Sequence, residues 1–69
     1  MKQTRIFEAA PLIATVIIGT AISEIQLMQY GYSGSETVGC VKNYKTRTAL
    51  DCMRTINEVT GLNKQWRIL

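Results

Sequence analysis

Few residues in this 69-residue chain are of types that do chemistry, and their spacing does not bring them together. There is no histidine, so the commonest general base and metal ligand is missing. Cys40 and Cys52 are the only thiols, and two thiols do not complete a zinc site. No glycine-rich phosphate loop, dinucleotide fingerprint or nucleophile elbow is present. The chain is therefore read as non-catalytic, with no cofactor-binding residue, no metal ligand and no small-molecule substrate. Cys40 and Cys52, with eleven residues between them, are candidates for a disulfide. In an oxidising compartment that bridge would contribute roughly 3 kcal/mol by loop closure. In a reducing one both cysteines act as small hydrophobes.

The remaining residue of interest is Glu24, because of the segment around it. Residues 9–32 hold one charge, Glu24, in 24 positions. A spanning helix needs about 20 predominantly apolar residues, and this run would reach about 36 Å. Pro11 suits a first turn, and Tyr30 and Tyr32 suit the membrane–water boundary before the helix ends in GYSGS. Residues 9–32 are therefore read as a transmembrane helix following an N-terminal segment, residues 1–8. Two other readings stay open. One is a cleaved signal peptide with Lys2 and Arg5 in its basic region, and the other is a buried helix of a soluble complex.

On such a helix Thr15, Gly19 and Ser23 recur every four residues, and Gln26 continues the same side. That small-residue spacing lets helices approach closely in lipid, so the four are read with Glu24 as a helix-docking seam. A carboxylate at the centre of a spanning helix costs on the order of 2.5–3.5 kcal/mol. Contact with a polar group on another subunit is the preferred account of Glu24, ahead of snorkelling and proton relay.

The net charge of +3 comes from the second half. Its scattered Lys and Arg fit a solvated face or a headgroup zone rather than a nucleic-acid stripe, so no nucleic-acid partner is expected. Residues 33–47 are read as a loop and 48–61 as a short amphipathic helix. Thr48 is its N-cap, Asp51 lies in its first turn, Leu50, Met53 and Ile56 form its apolar stripe, and Gly61 ends it. Residues 62–69 form an extended tail whose Trp66, Ile68 and Leu69 call for a partner or a membrane surface. The expected fold class is thus all-α, with one spanning helix and one short one.

Two stretches together carry a family resemblance. IFEAAP contains Phe7, Glu8 and Pro11 as F-E-x-x-P, and CMRTINEVTGLNKQW places Met53 eight residues before Gly61. With Val59, Thr60, Leu62, Asn63 and Lys64, this pattern resembles the MWFE subunit of mitochondrial respiratory complex I. The chain departs from it in the MKQTR extension, in Ile6 where that family has tryptophan, and in the cysteine pair. The resemblance implies a non-catalytic accessory subunit supporting assembly and stability of the NADH:ubiquinone oxidoreductase. It also implies a single pass through the mitochondrial inner membrane. The partners implied are the membrane core subunit next to the quinone site, neighbouring accessory subunits and the lipid bilayer. The competing reading is a free-standing bitopic bacterial or phage protein whose disulfide-stapled periplasmic domain binds an envelope target. Topology stays open. Cysteine oxidation favours the intermembrane space for the C-terminal half, and the positive-inside count favours the other side.

Overall fold

A computed structural model describes residues 3–69, and in it the long apolar run forms strands rather than a helix. Strand β1 spans Gln3–Ala9, β2 Leu12–Ile18, β3 Ile22–Gln29 and β4 Glu36–Lys42. A 3-10 turn, Asn43–Thr46, leads to helix α1, Ala49–Thr60, and a two-residue strand β5, Arg67–Ile68, closes the chain. All neighbours are antiparallel, in the order β4-β3-β2-β1-β5.

The all-α expectation with a single spanning helix is therefore overturned. Among the described residues no helix is long and apolar enough to cross a membrane, which also removes the basis for a single-pass inner-membrane location. Local chemistry explains the correction. LIATVII is rich in β-branched residues, which lose rotamer freedom in a helix and pack well on a pleated surface. Ala10–Pro11 turns the chain between β1 and β2, and Gly19–Ala21 turns it between β2 and β3. The presumed loop 33–47 holds β4 and the 3-10 turn. The extended tail expected to lie on a partner or a membrane surface instead contributes β5 and a Trp66 buried in the chain's own core, while Ile68 and Leu69 stay exposed. Met1 and Lys2, including the proposed basic region at Lys2, lie outside the described residues.

Side chains alternate across the sheet, so directly paired residues share a face. Three cross-strand rows, Gln3–Ile18–Ser23–Val41, Arg5–Val16–Ile25–Gly39 and Phe7–Ala14–Leu27–Glu36, face the helix. Phe7, Ala14, Val16 and Ile25 from these rows join Cys52 and Ile56 of α1 and Trp66 in one buried cluster. Met53, Val59 and Ala49 pack against its margin. Gly39 permits the helix to sit this close, because a Cβ there would lie 3.3 Å from Val59 Cβ. Leu50, expected on the apolar stripe, points outward and is 70% exposed.

Both helix ends are capped. The Thr48 side chain accepts a hydrogen bond from the Asp51 N–H at 3.1 Å. Gly61 takes a left-handed conformation at φ 72°, and its N–H donates to Asn57 O. Asn57 also ties the tail down. Its Nδ2 donates to Lys64 O at 3.1 Å, and its Oδ1 accepts from Lys64 N at 3.2 Å and from Trp66 Nε1 at 2.8 Å.

Removing the Asn57 amide strands the buried indole N–H. We expect Asn57→Ala to lower stability by about 2 kcal/mol in denaturant unfolding. The fluorescence of Trp66, the only tryptophan, should shift to the red, and Asn57→Asp, which keeps the acceptor, should shift it less.

Candidate functional site

The helix covers one face of the sheet and leaves the other open. On the open face the rows are Thr4–Ile17–Glu24–Cys40, Ile6–Thr15–Gln26–Thr37 and Glu8–Ile13–Met28, with Arg67 beside Glu8 and Lys42 beside Ile22. Neighbours on successive rows touch along diagonals as well as across strands. Met28, Ile13, Ile6, Ile17 and Ile22 therefore form one connected apolar path over the three central strands. Ile6 and Ile22, its outlying members, are 41% and 56% exposed.

Polar groups flank this path. Glu24 accepts hydrogen bonds from Gln26 Nε2 at 2.7 Å and from Thr37 Oγ1 at 2.5 Å. Ser35 Oγ reaches Gln26 Oε1 at 3.4 Å. On the opposite side the Arg67 guanidinium meets Glu8 Oε1 through Nη2 at 2.6 Å and Nε at 2.8 Å, fastening β5 to β1. The apolar path thus curves around Thr15, with Glu24 and Gln26 between its two ends, and such a mixture of apolar and polar groups is usual in protein-binding surfaces.

The residues read as a helix-docking seam divide between two places. Thr15, Glu24 and Gln26 do come together, as cross-strand neighbours on the open face. Ser23 instead points to the helix side and is fully buried, and Gly19 lies in the β2–β3 turn. Those two belong to a structural network. Ser23 Oγ donates to Asn43 Oδ1 at 2.7 Å and meets Thr46 Oγ1 at 2.8 Å, while Asn43 Nδ2 donates to Gly19 O at 3.0 Å. The four-residue spacing fails because it supposes a helix where a strand and a turn exist.

The residues carrying the family resemblance do not assemble into a site. Phe7 is in the core, Glu8 pairs with Arg67, Pro11 is in a turn, Met53 borders the core and Gly61 ends the helix. Comparison with protein-family models, with curated proteins and with solved structures finds no match to this chain. Nothing there places it in the MWFE family.

Cys40 and Cys52 are free thiols on opposite sides of the sheet. Cys40 is exposed on the open face, whereas Cys52 is buried under the helix with Sγ 3.6 Å from Thr46 O. The disulfide reading is corrected accordingly, because a sheet separates the two sulfurs. Burial raises the Cys52 pKa above its ordinary value of 9.0, with Arg5 opposing and Asp51 adding to the rise. Among the described residues no group of three or more His, Cys, Asp or Glu could hold a metal ion. A groove of about 500 Å³ opens beside the β3–β4 loop, lined by Leu12, Leu27, Met28, Tyr32 and Glu36 among others. Its titratable lining residues are Glu36 and Tyr32, both exposed.

Sequence reasoning singled out Thr15, Glu24 and Gln26 but did not join them with Ile6, Ile13, Ile17, Ile22, Met28 and Thr37 in one surface. A signal existed in Glu24, Gln26 and Met28, which alternate with the buried or half-buried Ser23, Ile25 and Leu27 at a strand's period of two.

A thiol reagent should modify Cys40 promptly in the native protein and Cys52 only after unfolding, giving one fast thiol and a second released by denaturant. A raised folded-state pKa means that Cys52 favours the folded chain while the thiol is protonated in both states. That contribution is complete below the ordinary value of 9.0 and is lost as pH climbs through the higher folded value. We expect Cys52→Ala to flatten this alkaline decline in denaturant titrations.

Proposed function

We propose that this chain is a non-catalytic protein-interaction module that binds through the helix-free face of its sheet. The observation carrying the proposal is the connected apolar path Met28–Ile13–Ile6–Ile17–Ile22, uncovered and bordered by hydrogen-bonded polar residues. Antiparallel sheets often face water on one side, but that side is then usually polar. Here four isoleucines and a methionine occupy it, with Ile6 and Ile22 exposed and Ile13, Ile17 and Met28 half-buried.

Chemistry of other kinds finds less support. A single-strand nucleic-acid platform stacks bases on aromatic rings, and this face carries none. Its aromatic residues elsewhere are either core members, Phe7 and Trp66, or loop and turn tyrosines, Tyr30, Tyr32 and Tyr44. The proposal keeps the non-catalytic, partner-dependent character of an accessory subunit and gives up the membrane span.

Site-specific photo-crosslinking in the cell of origin tests this reading. A benzophenone side chain at position 15, in the middle of the open face, should yield a discrete protein adduct. The same group at position 58, exposed on α1, should yield none. No adduct from position 15, or the same adducts from both positions, overturns the proposal.

A further inference from the structure

We infer that the turn between β4 and α1 is a second binding surface, which seats this chain on an anionic lipid bilayer. It uses residues outside the open-face path, so either reading can fail without the other.

The turn is basic and fixed in shape. Lys42, Lys45 and Arg47 fall within six residues of sequence, and all three are exposed. Among the described residues none of their side chains has an ion-pair or hydrogen-bond partner. Their backbone, by contrast, is held from inside. Asn43 Oδ1 accepts from Ser23 Oγ at 2.7 Å, Asn43 O accepts from Thr46 Oγ1 at 3.0 Å, and Lys45 O accepts from Thr55 Oγ1 at 2.9 Å. Thr46 is buried beneath the turn. A backbone ordered in advance loses little freedom on binding.

Apolar groups stand beside the charges. Tyr44 is 63% exposed, and it lines a shallow cleft together with Lys45 and Arg54. Leu50, one turn before Arg54 on the same side of α1, is exposed as well. The acids of this region are Asp51, 4.0 Å from Arg54, and Glu58. Four cations, Lys42, Lys45, Arg47 and Arg54, against these two acids leave the region positive.

This combination favours a bilayer over other polyanions. Each Lys or Arg held near an anionic lipid surface strengthens binding about fivefold. A tyrosine ring prefers the headgroup boundary, and an exposed leucine adds apolar area that the boundary buries. A single-strand nucleic-acid platform stacks successive bases on several rings, whereas Tyr44 is the one ring of this turn.

Flotation of the full chain with lipid vesicles tests the assignment. The chain should float with vesicles of phosphatidylcholine containing about 30% phosphatidylserine, and it should not float with phosphatidylcholine alone. Added salt should weaken the binding. Arg47→Gln should lower the partition coefficient about fivefold, and Lys45→Gln combined with Arg47→Gln about 25-fold. Lys64→Gln, which removes the same charge from the segment after α1, should change it little, and circular dichroism should show every variant folded. With Cys40→Ser as background, a nitroxide attached at Leu50→Cys should become shielded from a water-soluble relaxation agent on the vesicles. One attached at Lys64→Cys should stay accessible.

Equal behaviour with both vesicle types overturns the inference. So does an equal loss from Lys64→Gln and Arg47→Gln, or a nitroxide at position 50 that stays accessible. If a fluorescent oligothymidylate binds the chain and the vesicles do not, the patch is a nucleic-acid surface and the lipid assignment falls. The photo-adduct from position 15 is a separate readout and decides only the open face.

Discussion

A single helix has to dry one face of a sheet, and the rest of the molecule is arranged around that limit. Phe7, Ala14, Val16 and Ile25 are almost wholly withdrawn from water because Cys52, Ile56 and Trp66 close over them. Fully burying a large apolar side chain is worth roughly 1.5–3 kcal/mol, so this one layer carries most of what a chain this short can gain. Among the described residues there is no second α-helix to cover the other side. The strand alternation that supplies the core on one face therefore also produces the exposed apolar path on the other.

Polar contacts hold that layer in register. Ser23, Asn43 and Thr46 form a buried cluster that docks the 3-10 turn on the β2–β3 hairpin, and Thr55 Oγ1 adds a bond to Lys45 O at 2.9 Å. Among the described residues no buried side-chain polar atom lacks a partner. At the other end Asn57 gathers Lys64 and Trp66, and the Glu8–Arg67 pair secures the last strand across 59 residues of chain. The exposed ion pair adds little energy by itself. Its larger effect is to place Arg67 on the open face, where it balances Glu8.

Function, on this view, follows from what the fold leaves undone. Among the described residues the open face has a curved apolar path with polar groups between and beside its arms, and it carries no aromatic ring. Glu24 is the instructive residue. In a spanning helix it would be an expensive charge needing a partner subunit. In β3 its carboxylate is served by Gln26 and Thr37 within the same sheet, and it marks the border of a surface.

Some of this was legible in the chain itself. The helix at Ala49–Thr60 is announced by local signals, because Thr48 and Gly61 act within one turn of their own backbone. The absence of histidine and the two lone cysteines limit chemistry whatever the fold. The apolar stretch was not legible in the same way, since hydropathy alone does not separate a membrane span from two hairpinned strands. The β-branched LIATVII, the turns at Ala10–Pro11 and Gly19–Ala21 and the period of two through Ser23–Met28 pointed to strands, but each is weaker than a long charge-poor run. What only the tertiary structure decided is which side of each strand the helix would cover. That choice puts Cys52 in the core and Cys40 in water, separates Ser23 from Glu24, and gathers Ile6, Ile13, Ile17, Ile22 and Met28 from three strands. Sequence spacing carries the alternation within a strand, whereas register between strands and the seat of the helix arise from packing among residues far apart in the chain.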